Sequence, residues 1–449
     1  MLNAGLPRRC VEGCLSGVKT MHAAYACRSH EHGMARRQFL GTLAAGAGAL
    51  AGGLGTFAQP GFTAELQKQQ KRMLVFNMHG GLSQLESWDP KPATSTGGPF
   101  RAIPTSVPGM HICELLPHTA KQMHHLSLIR SVNTAEDDHG KGAYMMLHGR
   151  RQTPASDFPT LGAVTAKTTA PVTASLPGHI IVTPSGGGGR ANDASYLGPK
   201  YASLSLGGGQ PPQNTTRPDG LSEAMDASRN TFRKQLDDQF FSRRRTARTE
   251  AYTFSYEQAQ QLLAQRDVFD VTKEPEKDFE RYGKHDFGRQ CLLARRLIES
   301  GISFVQVTHS NYDTHNENFN FHIEQLGEFD NSFATLVGDL ADRGLLEHTL
   351  IVVLSEFGRT PNVNVYYGRD HWSRAWSVLV GGTGVQKGAI IGKTNDKGTE
   401  VTDRQVDHGH LFHTYLSAVG VNTADSLQID GRDVPIADPA YQPIHELLA

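Results

Sequence analysis

Carboxylates and imidazoles gather where apolar runs break off, and that pairing suits a divalent metal ion or a phosphate-ester site. Residues 349–372 read TLIVVLSEFGRTPNVNVYYGRDHW. The β-branched run 350–354 stops at Ser355-Glu356-Phe357-Gly358-Arg359, and Asp370-His371 begins eleven residues past Arg359. Asp313-Thr314-His315 follows a second such run, 302–308, and His79-Gly80-Gly81 ends a third, 73–78. A buried strand that delivers a carboxylate, a glycine turn and then an imidazole fits a ligand site at the carboxyl edge of an α/β sheet.

Carboxylate and imidazole together favour a borderline ion such as zinc or manganese, whereas a purely carboxylate set favours magnesium or calcium. The candidate ligands are His79, Asp313, His315, Glu356 and His371. Such an ion polarises a phosphoryl or sulfuryl oxygen or activates water, and a pair of ions about 4 Å apart clamps both attacking and leaving oxygens. Each candidate has a plainer reading. His79 can cap its turn, and Asp313 can make an Asx turn. Glu356 ends a wholly apolar run and needs a partner, which Arg359 can supply. Arg150 and Arg359 can grip an anionic oxygen bidentately or make ordinary ion pairs.

Helices and strands alternate around these residues. The pattern predicts strands over 73–78, 126–132, 302–308, 350–354 and 376–380. It predicts helices over 119–125, 143–147, 287–300, 322–343 and 410–419, with Leu326, Phe329, Phe333, Leu336, Val337 and Leu340 at helical spacing. Residues 184–216, rich in Gly, Pro and Asn, read as a long surface loop, and 218–284 as mainly polar helix. The order argues an α/β fold, a doubly wound and mostly parallel sheet in an α/β/α sandwich.

With 44 Lys plus Arg against 45 Asp plus Glu, nothing argues for nucleic acid or an acidic membrane surface. Met34-Ala35-Arg36-Arg37-Gln38-Phe39-Leu40 precedes an Ala/Gly/Leu run ending in small residues, which reads as a twin-arginine export signal with cleavage near Ala58. The run is too short and too Gly-rich for a stable span in the mature chain. The expected layout is an N-terminal extension with signal over 1–58, a linker over 59–71 and one domain over 72–449. Localisation is then periplasmic or otherwise exported, with the twin-arginine translocase as a transient partner. Met34 is an alternative start to Met1. Cys10, Cys14, Cys27 and nearby histidines lack the second close pair of a zinc knuckle.

HGG at 79–81, WDPKP at 88–92, LLPHTAK at 115–121, RYG at 281–283, ARRLIESG at 294–301, YDTH at 312–315, SEFGRTP at 355–361 and GRDHW at 368–372 together resemble the domain-of-unknown-function 1501 family, from about residue 72 to the C-terminus. That family is grouped with the alkaline phosphatase-like and sulfatase-like proteins. The resemblance implies an alkaline phosphatase-like sandwich with metals at strand ends: His79 at the first metal position, Asp313 and His315 at the middle pair, Glu356-Phe357-Gly358 at an Asp-His-Gly turn, and His371 at the late His. It also sets His139 where a Ser, Thr or Cys nucleophile is expected, and residues 140–143 lack the Pro and Arg that support formylglycine. The implied roles of His139 are ligand, general base or phosphohistidine-type nucleophile. Two functions follow: an exported metal-dependent hydrolase of sulfate or phosphate esters, small or glycan-borne, or a non-catalytic binding or scaffold protein that retains the fold.

Overall fold

The aliphatic runs become the strands of one eight-stranded sheet: β1 (Arg72–Met78), β2 (Leu126–Val132), β3 (His179–Val182), β4 (Leu204–Leu206), β5 (Phe304–His309), β6 (Thr349–Leu354), β7 (Trp376–Gly382) and β8 (Ile390–Ile391), in the order β8-β2-β7-β6-β1-β5-β3-β4. The computed structural model describes residues 70–449, apart from 155–156, 172–173, 175, 185, 187–191, 213–214, 242–246 and 430. The export signal, the early cysteines and 59–69 of the linker lie outside the described residues.

Side chains alternate between two cores. Leu74, Phe76 and Met78 of β1 enter one with Leu292, Leu297, Phe329 and Phe333. Met73 and Val75 enter the other with Leu161, Val164, Leu411 and Tyr415. A strand buried on both faces must be apolar throughout, which is why β1 and β6 read as unbroken aliphatic runs. The helices are α1 (Pro117–Gln122), α2 (His139–His148), α3 (Leu161–Thr169), α4 (Glu223–Phe241), α5 (Ala247–Ala264), α6 (Glu276–Tyr282), α7 (Asp286–Glu299), α8 (Asn318–Asp342) and α9 (His408–Ala418). Helices α1, α7 and α8 cover one face, α3 and α9 the other. The fold is a doubly wound α/β/α sandwich.

Register explains why the site forms at one edge. β1 lies parallel to β5 and β6, with Met78 opposite His309 and Asn77 opposite Leu354. The carboxyl ends are therefore level, and the residues that follow them, His79, Asp313 and Glu356, emerge together. β7 runs antiparallel to both β6 and β2, with Trp376 opposite Val132. Its start, not its end, lies at that same edge. His371, five residues before Trp376, and the segment leaving β2 toward His139 arrive there for this reason.

Two expectations change. Residues 184–216 are not all loop, since they deliver β4, whose Leu204 and Leu206 are buried beside β3. The helix expected over 143–147 begins four residues earlier, at His139, with Asp138 as N-cap accepting from Lys141 N at 3.0 Å. Gly140 and Gly142 weaken the helical signal. Space at Gly142 is tight: an added Cβ would sit 3.1 Å from Glu356 O and 3.3 Å from the Phe357 ring.

Candidate metal centre

Glu356 leaves β6 into the protein, not into solvent. Its side chain is 2% exposed. Oε1 accepts from Gly80 N at 2.9 Å and pairs with His139 Nδ1 at 2.7 Å, and Oε2 lies 3.0 Å from Ser355 Oγ. Gly80 is needed for this approach: its φ is +116°, and a Cβ would lie 2.5 Å from Asp313 N. Phe357 is fully buried, its ring 4.8 Å from that of His139 and 4.4 Å from that of His371. Gly358 and Arg359 then pair antiparallel with His371 and Trp372, which fixes His371 beside the strand end.

Three imidazoles are oriented alike. His139 Nδ1 faces Glu356, His371 Nδ1 faces Asp137 O at 2.6 Å, and His315 Nδ1 faces Asp370 Oδ1 at 2.7 Å. Each of those partners accepts, so each Nδ1 carries the proton and each Nε2 presents a lone pair in the neutral ring. All three Nε2 atoms converge on Asp313 Oδ1: His139 at 3.3 Å, His371 at 3.2 Å and His315 at 3.1 Å. His315 Nε2 and His371 Nε2 are 3.0 Å apart. Lone pairs facing a carboxylate repel unless protons or a cation lie between them. His139 Nε2 is buried and makes no hydrogen bond, since its contact with Asp313 lacks the geometry.

The spacing fits a metal. Zinc–nitrogen and zinc–oxygen bonds of about 2.0–2.2 Å set tetrahedral ligand atoms roughly 3.3–3.6 Å apart, close to the separations here. His139, Asp313 and His371 offer ligand atoms that all lie within 4.8 Å of one another. The donor set, imidazole nitrogens with one carboxylate, is that of a borderline ion. Each imidazole also has the outer partner that metal-ligating histidines require.

Electrostatics concentrate on Asp313. Burial pushes its carboxyl up, but the hydrogen bond and charge of Arg359, with His371 and His139, bring it down to about 2. Arg359 is fully buried and donates through Nε to Gly81 O at 3.0 Å, through Nη1 to Arg369 O at 3.0 Å, and through Nη2 to Gly80 O and to Asp313 Oδ1 at 2.6 Å. The hydrogen bond that His139 donates to Glu356 raises the His139 pKa against the opposing effect of burial. Burial pushes Glu356 up, yet the His139 bond carries it below the usual carboxylate range.

Residues 70–448 match the family described as "Protein of unknown function (DUF1501)". The chain belongs to the DUF1501 family. No curated protein matches it. Among solved structures it is similar to the sulfatase PsFucS1 from Pseudoalteromonas sp., at 12% identity over 80% of this chain and 69% of that one, TM-score 0.37. It is similar to the alkaline phosphatase of the Antarctic bacterium TAB5, at 12% over 79% and 99%, TM-score 0.35. A third is the C-terminal periplasmic domain of EcEptC from Escherichia coli in complex with Zn, at 10% over 85% and 92%, TM-score 0.37. All three likenesses are distant, so the chemistry of this DUF1501 site is read from its own geometry.

Of the residues the sequence singled out, His79, His139, Asp313, His315, Glu356, Arg359 and His371 converge. Arg150 does not: its guanidinium lies 4.5 Å from the centroid of the Phe158 ring and donates to Pro435 O at 3.0 Å. His139, set at the nucleophile position with ligand among its implied roles, stands with Asp313 and His371 in a group whose ligand atoms lie within 4.8 Å of one another. Glu356, expected as a ligand, instead holds the far nitrogen of His139. His79 is exposed, with its ring stacked 6.3 Å from that of His139. Sequence reasoning left Asp370 and the Asp137 carbonyl without roles. The Asp370-His371 pairing signals an acid at the site, but only the fold shows that Asp370 serves His315. A backbone carbonyl leaves no trace in residue type.

A fully buried ion pair supports the His371 segment. Arg369 Nη2 donates to Glu86 Oε1 at 2.8 Å and to Thr96 O at 2.8 Å. Both members of the pair are 0% exposed. Glu86 also accepts from Ser83 Oγ.

Proposed function

We propose that this chain is an exported, divalent-metal-dependent hydrolase of sulfate or phosphate esters. One observation carries the reading: three imidazoles, each with an acceptor at Nδ1, aim their Nε2 atoms at one carboxylate oxygen. A zinc- or manganese-class ion held by His139, Asp313 and His371, with His315 beside them, would supply Lewis-acid activation of an ester oxygen and of water. Glu356 and Asp370 keep the tautomers of His139 and His315 fixed. Arg359 holds Asp313 in place and ionised. Phe357 closes the floor and excludes water beneath His139 and His371. His79, exposed and stacked on His139, is placed to exchange protons with solvent. Ser355 Oγ is buried, donates to Met78 O and accepts from Leu82 N, so attack by water fits better than attack by that hydroxyl.

Export by the twin-arginine route rests on Arg36-Arg37 and the run that follows. No helix among the described residues is long and apolar enough to cross a membrane. A second reading, a metal-stabilised binding or scaffold protein, draws on Arg359 and Arg150. The first is buried and engaged and the second lies elsewhere, so neither offers a cation to an anionic ester. Assay of p-nitrophenyl sulfate and phosphate with added zinc or manganese separates the two. Hydrolysis by the wild-type chain and none by His371→Ala supports the hydrolase. Equal rates in both remove the site from the reaction, and no hydrolysis by either supports the scaffold.

A further inference from the structure

Residues 362–368 form a hairpin between Arg359 and Asp370, and it presents large side chains to solvent at the rim of the site. Val365, Tyr366 and Tyr367 are 86%, 70% and 68% exposed. The hairpin is nonetheless tied down. Asn364 Nδ2 donates to His315 O at 2.9 Å and to Asp370 Oδ1 at 3.3 Å, while its Oδ1 accepts from Tyr366 N at 2.9 Å and Gly368 N at 3.0 Å. Glu317 N and Asn318 N donate to Tyr366 O and Tyr367 O at 3.1 and 3.0 Å. Tyr367 has φ +58°, and Asn311 and Glu317, also with positive φ, border the same rim. Strained backbone under an exposed aromatic ring gains the fold no packing, and strain of this kind collects at functional sites.

We propose that this hairpin is a platform for the sugar ring of a saccharide ester, with Tyr366 and Tyr367 taking its flat apolar face. The inference rests on the ester-hydrolase reading above and names its substrate class. Tyrosine pairs an apolar face with a hydroxyl, and a pre-ordered hairpin presents both at low entropic cost. Asn316, which bridges to Tyr367, and Asn362 of the hairpin itself are exposed, and their amides suit uncharged hydroxyls. The rim segments 311–323 and 360–373 carry no exposed Lys or Arg, while Glu317 and Asp370 are exposed acids. That charge pattern disfavours nucleic acid, a densely sulfated chain or an anionic membrane, and fits a ring with a single ester group directed at the His–Asp cluster.

The test uses an array of neutral and singly sulfated oligosaccharides with the full chain, Tyr366→Ala and Tyr367→Gly. Glycine at 367 removes the ring and relieves the positive φ, so its melting temperature holds or rises and misfolding does not explain a loss. The expected result is retention by wild type, weakened by about tenfold in each variant, with metal content unchanged. No retention by wild type, or equal retention by the variants, overturns the platform. So does binding to anionic vesicles or self-association that the same variants abolish in place of saccharide retention. Hydrolysis of p-nitrophenyl esters without saccharide retention leaves the metal reading standing and overturns this one. Saccharide retention without hydrolysis of any ester leaves the platform standing and overturns the hydrolase reading.

Discussion

Replacing Glu356 by Gln isolates a charge at almost constant shape. Oε1 takes both the His139 Nδ1 contact at 2.7 Å and the Gly80 N bond at 2.9 Å, and a glutamine carbonyl accepts both. The amide nitrogen then faces Ser355 Oγ, whose own proton already goes to Met78 O at 2.6 Å, so every group keeps a partner. Loss of an outer-shell carboxylate weakens metal binding about 10–100-fold, or roughly 1.4–2.7 kcal/mol. The pH dependence supplies the sharper test. Glu356 raises the His139 pKa, and a proton on His139 competes with the metal. Wild-type affinity therefore falls as pH drops below that raised value, by about tenfold per unit for one displaced proton. In Glu356→Gln the His139 pKa moves down and the acid limb shifts with it. The two affinity curves should lie farthest apart in alkali and converge in acid. Competition against a chromogenic chelator across pH measures both. Equal affinities above neutrality, or a gap that widens in acid, refute the reasoning.

Other outcomes follow from the same geometry. Glu86→Ala strands Arg369 in a fully buried position, which should cost about 3–5 kcal/mol in denaturant unfolding and loosen the segment that carries His371. In the metal-free chain, Asp313 is held at about 2 when folded against about 3.9 when unfolded. The unfolded state therefore binds more protons between these values, stability falls as pH drops through that window, and Asp313→Asn flattens this part of the acid-unfolding curve. Arg150→Ala should leave metal affinity within about twofold, the range of substitutions away from a site, as metal titration would show.

The strands and the two acid–imidazole pairs were legible because burial on both faces leaves an unmistakable aliphatic run, and each pair sits where such a run ends. His139 was harder, since Gly140 and Gly142 hid the first turn of α2, and the close approach of Glu356 and Phe357 to Gly142 shows only in the fold. A ligand role for His139 was one of three its position implied, but the place of Glu356 behind it was not legible. Both residue types are sound metal ligands, and only distance shows that the carboxylate faces Nδ1 while Nε2 faces Asp313. Arg150 misled because a cation near a site in sequence need not be near it in space. The antiparallel turn of β7, which brings His371 to the site, has no signature in composition: a valine-rich strand reads the same in either direction.

A divalent ion held by His139, Asp313 and His371 is what the proposed hydrolase stands on. Elemental analysis of the purified mature chain, before and after chelation and zinc or manganese reloading, tests it most directly. Stoichiometric metal is expected in wild type and Arg150→Ala, lost from His139→Ala, Asp313→Ala and His371→Ala, with a rise in wild-type melting temperature on reloading. A folded wild-type chain that retains no metal, takes up neither ion and shows no thermal shift would contradict it.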